Sequence, residues 1–121
     1  MDEKALEGLL GLAMRSGQLK AGAQLALEDI RQGHAGLLLL DKAASPNTTK
    51  RMTDACQTHQ IRCLCLPEDL LGKAIGKQGT MAATLLPGGI CEKVHGIWDD
   101  KDREQRVTNA IGGGRGSNDK G

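Results

Sequence analysis

The sequence predicts an α/β fold, a three-layer α/β/α sandwich on a sheet of about four strands. Two observations predict it. Amphipathic stretches with apolar residues three and four positions apart take turns with short apolar runs, so strands are joined by helical crossovers. One of those runs, Ala35 to Leu40, is apolar without interruption. A strand of that kind is buried on both faces, which requires a layer on each side of the sheet.

The elements follow in order. Leu6, Leu9, Leu10 and Ala13 share one helical face, and Ser16-Gly17 supplies the stop. Gln18 to Lys20 reads as a brief extended link. Ala23, Ala26, Leu27 and Ile30 repeat the helical spacing, with Gly33 closing that second helix. After the Ala35–Leu40 strand, Ser45-Pro46 reads as an N-cap followed by proline at the first helical position, where its missing N–H costs nothing. Met52, Ala55, Cys56 and His59 form the expected apolar stripe of the third helix. Ile61 to Leu66 is the next strand, and Pro67-Glu68-Asp69 opens a fourth helix carrying Leu70, Leu71, Ala74 and Ile75. Thr80 to Leu86 is the last strand, Pro87-Gly88-Gly89 a turn, and Ile90 to Val94 the start of a final helix.

After His95 the character changes. Asp99 to Arg106 alternates in charge and could extend the helix as far as Ile111. The run Gly112 to Asn118 has no apolar surface to bury and reads as a disordered tail. The expected organisation is therefore a domain over residues 1–95 and a charged helical extension with a glycine-rich tail over 96–121. No internal repeat is visible.

Composition excludes several classes of function. Sixteen Lys and Arg against fifteen Asp and Glu give a net charge of +1 in 121 residues, so any nucleic-acid surface must be local. Trp98 is the only aromatic residue, which argues against recognition by stacking bases on aromatic platforms. No apolar run approaches the length of about 20 residues needed to span a bilayer, and the amphipathic, acidic start lacks the apolar core of a signal peptide. A cytoplasmic protein with its four cysteines reduced is the expectation.

Four local signatures stand in series: Gly11-Leu12-Ala13-Met14-Arg15-Ser16-Gly17, Leu37-Leu38-Leu39-Leu40-Asp41, Ala44-Ser45-Pro46-Asn47-Thr48-Thr49-Lys50-Arg51 and Leu71-Gly72-Lys73-Ala74-Ile75-Gly76-Lys77. In this order and spacing the chain resembles the L-seven-Ae/L-thirty-e family of ribosomal and kink-turn RNA-binding proteins, most of all its bacterial branch. The resemblance runs from Gly11 to Lys93. It implies the same three-layer architecture with a mixed sheet, and a structured RNA, ribosomal or messenger, as partner. Bacterial members are often the C-terminal half of a longer nucleic-acid-binding protein implicated in transcription termination, and this chain fits such a half.

The resemblance places RNA recognition at Lys20-Ala21-Gly22-Ala23-Gln24. A glycine at a helix start lets backbone N–H groups approach a phosphate or base edge, with the helix dipole assisting. Family members that bind kink-turns carry Gly-x-Asn-Glu-x-x-Lys here. Gly22 matches, whereas Gln24 stands for Asn, Leu25 for Glu and Glu28 for Lys. Gln24 can still offer an amide to a base edge, but Leu25 cannot accept a hydrogen bond and Glu28 repels phosphate. On its residues alone, Gly22 is equally a plain turn before an ordinary helix.

Gly76-Lys77-Gln78-Gly79 matches the Gly-x-x-Gly loop of KH domains, but the segment that follows reads as a strand where that fold needs a helix. In the L-seven-Ae resemblance the same segment faces RNA, and Lys73 and Lys77 join Lys20 in a local phosphate patch. The plainer account is solvated lysines at a helix end, favoured by the dipole. The spacing is not that of a P-loop. Lys50 and Arg51 near the third helix start work against the dipole, which points to an anionic partner or to simple solvation, and solvation is the favoured reading. Cys56, His59, Cys63 and Cys65 have spacings that a metal site could use, but all four fall at expected core positions.

No set of nucleophile, base and orienting carboxylate emerges, so no enzyme activity, catalytic residue, metal, cofactor or small-molecule substrate is expected. The expected function is RNA binding by a monomer, through Lys20, Gly22, Ala23, Gln24, Lys73, Lys77, Gln78, Gly79 and Thr80. Two rivals stand beside it. One is a protein-interaction module that kept the fold and lost RNA recognition, as Leu25 and Glu28 would allow. The other is an RNA-methyltransferase accessory domain, although no methyl-donor site is visible.

Overall fold

The computed structural model describes residues 3–99. Its elements are α1 (Glu3–Arg15), β1 (Leu19–Ala21), α2 (Ala23–Arg31), β2 (Leu37–Asp41), α3 (Pro46–His59), β3 (Cys63–Leu66), α4 (Leu70–Ile75) and β4 (Ala82–Leu85). A last helix, α5, covers residues 89–99. The four strands form one mixed sheet in the order β1-β4-β2-β3. β2 and β3 run parallel, and β4 lies antiparallel to both β1 and β2.

The leucine run that predicted a doubly covered strand explains the two cores. Leu37 and Leu39 point to one face, where they meet Leu6 and Leu10 of α1, Leu70 and Leu71 of α4, and Cys91 and Val94 of α5. Leu38 and Leu40 point to the other, against Ala26, Leu27 and Ile30 of α2 and Met52 and Cys56 of α3. All four leucines are at most 3% exposed. Each such burial contributes about 1.5–3 kcal/mol, which makes β2 the centre of the fold.

Capping follows the sequence closely at α3. The Thr48 N–H donates to Ser45 Oγ at 3.1 Å, Pro46 occupies the first turn, and Gln60 ends the helix in a left-handed conformation. The observed strands begin later than expected. Ala35 and Ile61 are loop residues packed on the α2–α3 core, and Thr80 belongs to a turn closed by its own hydroxyl on the Lys77 carbonyl at 2.7 Å.

Gln18 to Lys20 differs in kind from its expectation. Its neighbourhood forms edge strand β1, with Leu19, Lys20 and Ala21 registered against Leu85, Thr84 and Ala83. Three residues are too few to show an alternation in sequence, and pairing with β4 is what makes them a strand. His59 departs from the apolar stripe and is exposed at the last position of α3. Cys65 is exposed as well, on edge strand β3.

Helix α5 runs without a break across residue 95, and Trp98 packs against the α1–α4 core. There Arg62 ties it to the start of β3, donating to His95 Nδ1 at 3.1 Å and pairing with Asp99 at 2.8 Å. The expected charged extension and glycine-rich tail lie, from residue 100 onward, outside the described residues.

Candidate nucleic-acid interface

Strand direction decides where the candidate residues meet. β1, β2 and β3 all point the same way, since β1 and β2 are each antiparallel to β4 and β3 is parallel to β2. The segments that leave β1, β2 and β3 and the one that enters β4 therefore share one end of the sheet. Hydrogen bonds stitch that end together. The Gly22 N–H donates to the Ala82 carbonyl at 2.8 Å and the Asp41 N–H to the Met81 carbonyl at 2.7 Å. Gly22 thereby sits beside the residues that lead into β4, at the same end of the sheet as the Lys77–Thr80 segment that precedes them.

Gly22 caps α2 with φ 111° and ψ 143°, a backbone conformation that side chains of L residues rarely adopt. Its own N–H is taken by the sheet, and its carbonyl accepts from Ala26 at 2.9 Å. No side chain caps the helix. The amides of Ala23, Gln24 and Leu25 therefore form the open, positive end of α2, because first-turn donors have no acceptor within the helix. These three amides, and not the N–H of Gly22 itself, are the backbone donors left open at this helix start.

A Cβ at Gly22 would meet nothing within 4 Å. The expected result of Gly22→Ala is a loss of about 1–3 kcal/mol from backbone strain alone. Urea unfolding measures it, and an unchanged midpoint would contradict the strain.

Gln24 and Leu25 stand on the exposed side of α2. Gln24 Nε2 donates to Glu28 Oε2 at 3.1 Å, so the acid that repels phosphate also orients the amide. Leu25 is 50% exposed, an unusual position for a large apolar side chain. Lys20 is exposed on β1, on the side that faces α2, since its register partner Thr84 donates to Asp29 Oδ2 of α2 at 2.9 Å.

The segment 77–79 folds back over α4. The Lys77 N–H donates to the Gly72 carbonyl at 2.9 Å, and a Cβ at Gly72 would lie 2.9 Å from the Lys77 carbonyl oxygen. Only glycine lets the loop lie this close. Between α4 and the loop is a cleft of about 200 Å³ lined by Asp41, Asp69, Gly72, Lys73, Gln78, Gly79 and Thr80. Four of these seven are residues the sequence singled out, so the structure brings Lys73, Gln78, Gly79 and Thr80 together. With β4 following directly, the second helix of a KH arrangement is absent.

Sequence reasoning missed Asp41 and Asp69. Asp41 is 1% exposed, and its carboxylate accepts from the Ala43 N–H at 2.7 Å and from the Asp69 N–H at 3.0 Å. It ties the loop after β2 to the loop after β3. Asp69 takes φ 70° at the start of α4, a strained position which that hydrogen bond helps to hold. The visible signal was an acidic residue directly continuing a leucine run. Lys42, next in sequence and exposed, adds a fourth lysine at this end of the sheet.

Lys20, Lys42, Lys73 and Lys77 have no ion-pair partner among the described residues. Lys50, by contrast, pairs with Asp54 at 3.2 Å. This end of the sheet therefore presents lysines without ion-pair partners and open helix amides, with the Asp41 and Asp69 carboxylates in the cleft beside Lys73.

The cysteine–histidine set does not converge, because His59 and Cys65 are exposed at separate places. Among the described residues no three His, Cys, Asp or Glu side chains gather closely enough to hold a metal ion. Cys56 and Cys63 meet between α3 and β3. Their mutual hydrogen bond, reinforced by burial, pushes the Cys56 thiol up, while the same bond lowers Cys63 against the effect of its own burial. Burial also raises the Cys91 thiol, with Glu92 adding to it.

A three-layer sandwich with an uncapped helix start beside a lysine-bearing glycine loop defines a class of small α/β domains, and comparison with known proteins places the chain within it. Residues 4–93 match the ribosomal protein L7Ae/L30e/S12e/Gadd45 family, and the chain belongs to that family. It is 33% identical over 92 residues to the RNA-binding protein YlxQ of Bacillus subtilis, covering 75% of this chain and 92% of that protein. It is 37% identical over 76 residues to the RNA-binding protein YlxQ of Enterococcus faecium, covering 62% of this chain and 73% of the relative.

Among solved structures, a protein of unknown function from Bacillus halodurans superposes with a TM-score of 0.72 at 30% identity, over 77% of this chain and 95% of that one. A 15.5kD RNA-binding protein of Giardia lamblia superposes with a TM-score of 0.68 at 20% identity, over 83% and 91%. The last likeness concerns the fold alone. No helix among the described residues is long and apolar enough to cross a membrane.

Proposed function

We propose that this protein binds structured RNA, ribosomal or messenger, at the sheet end formed by the start of α2 and the Lys73–Thr80 segment. The observation that carries the reading is the juxtaposition of the open α2 amides with lysines that lack acidic partners. The amides and lysines hold phosphate, and Gln24 reads a base edge. Family membership and the names of the two YlxQ relatives support the same reading. The protein acts as a monomer without cofactor or small-molecule substrate, and a link to transcription termination or translation belongs to the same proposal.

Titration of a kink-turn RNA at several salt concentrations tests it. Lys20, Lys73 and Lys77 each neutralise one phosphate, giving a log–log slope of about two to three. Lys77→Ala lowers that slope by about 0.7–0.9 and weakens all RNA sequences alike, because a phosphate contact carries no base information. Absence of binding at low salt refutes the reading. The exposed Leu25 then favours the second one, a protein-interaction module built on the same surface.

A further inference from the structure

Helices α2 and α3 pack on the same face of the sheet and leave between them an open groove of about 330 Å³. Its floor is Leu27 and Ala55, and its walls carry Arg31, Arg51, Asp54 and His59. Both helices start at the candidate RNA edge, since each follows one of the parallel strands. Gln24 and Arg31 are two helical turns apart on one side of α2, a run of about 10 Å. On α3, Arg51, Ala55 and His59 follow at four-residue spacing, so they form a row leading away from the same edge.

The groove is cationic and unsatisfied. The side chains of Arg31, Arg51 and His59 make no ion pair or hydrogen bond among the described residues. The one carboxylate in the lining, Asp54, is paired with Lys50 at 3.2 Å. Glu28, between Gln24 and Arg31 on that same side of α2, accepts from Gln24 at 3.1 Å and is the acid along this run. We infer that this groove is a second phosphate-backbone site, which takes the strand of a bound RNA as it runs on from the α2 edge.

The inference rests on the RNA reading of the primary edge. Two arginines offer planar donor forks that match phosphate, and neither is paired with a carboxylate among the described residues. A protein segment would need an apolar anchor, and the exposed large apolar residues, Leu12 and Leu25, lie outside the lining.

The experiment compares two probes, a kink-turn RNA trimmed to its core and the same RNA lengthened by one helical turn at one end. The wild-type chain binds the longer RNA more tightly and with a steeper salt slope. Arg31→Ser combined with Arg51→Ser abolishes that advantage, lowers the slope for the long RNA by about one and a half, and leaves the trimmed RNA unchanged. Lys4→Ser with Lys93→Ser removes the same charge elsewhere and leaves the advantage intact. Circular dichroism melting shows that the arginine variant is folded, since both side chains are exposed.

An arginine variant that keeps the advantage, while Lys77→Ala weakens both RNAs, overturns the groove and leaves the primary edge standing. If Lys77→Ala changes nothing either, both readings fall. Equal losses on trimmed and long RNA would merge the arginines into the primary site and also overturn a separate groove. Arginine-dependent binding of an acidic peptide, with no effect of RNA length, would assign the groove to a protein partner instead.

Discussion

Asp41→Ala is expected to destabilise the protein by about 3 kcal/mol, because two amides lose a charged acceptor at once. The Ala43 and Asp69 N–H groups that Asp41 accepts at 2.7 and 3.0 Å would be left to whatever water can reach them. The strained φ of 70° at Asp69 would then lose its tie. Asp41→Asn keeps the shape and one carbonyl oxygen, so its loss is expected to be roughly half as large. Urea unfolding of the three proteins gives the ordering. The second readout is functional: Asp41 lines the cleft that holds Lys73 and Thr80, so RNA affinity should fall even where the variant is still folded. A variant as stable as the wild type would mean that the two loops hold their places without the carboxylate.

Leu25→Glu combined with Glu28→Lys is expected to strengthen kink-turn binding by about 1–3 kcal/mol, the worth of one good bidentate base contact. That range corresponds to roughly five- to 150-fold in affinity. The gain has three sources. Lys at 28 attracts phosphate where Glu28 repels it, Glu at 25 supplies the acceptor that Leu25 lacks, and the Gln24 amide is released from Glu28. Both positions are exposed, so neither change disturbs the core. Gel shifts of single and double variants separate the terms, and a double variant no better than the wild type would place the RNA contact elsewhere.

Much of the fold was legible because it rests on short-range rules. The Ser45 cap, the proline after it and the alternating burial of Leu37 to Leu40 need only local spacing and the polarity of side chains. The strand limits were less legible, since pairing ends where a partner ends. Ala35 and Ile61 are apolar enough to extend their strands yet pack as loop residues. His59 and Cys65 failed for a related reason: an apolar neighbourhood in sequence does not say how far a covering helix or sheet edge reaches.

By itself the sequence determined the fold class, the order of the long elements and the two-sided burial of the central strand. It also determined the neutral overall charge, which confines any nucleic-acid contact to a patch. Periodicity and composition carry that information directly. Only the tertiary structure decided that β1 is a strand, that Gly22 gives its N–H to Ala82, and that Asp41 bridges two loops far apart in the chain. The same holds for the placing of Gly22 and Lys77–Thr80 at one end of the sheet, and of Arg31 and Arg51 along one groove. Those facts depend on strand direction and loop closure, and both are set by contacts between segments that the linear order keeps apart.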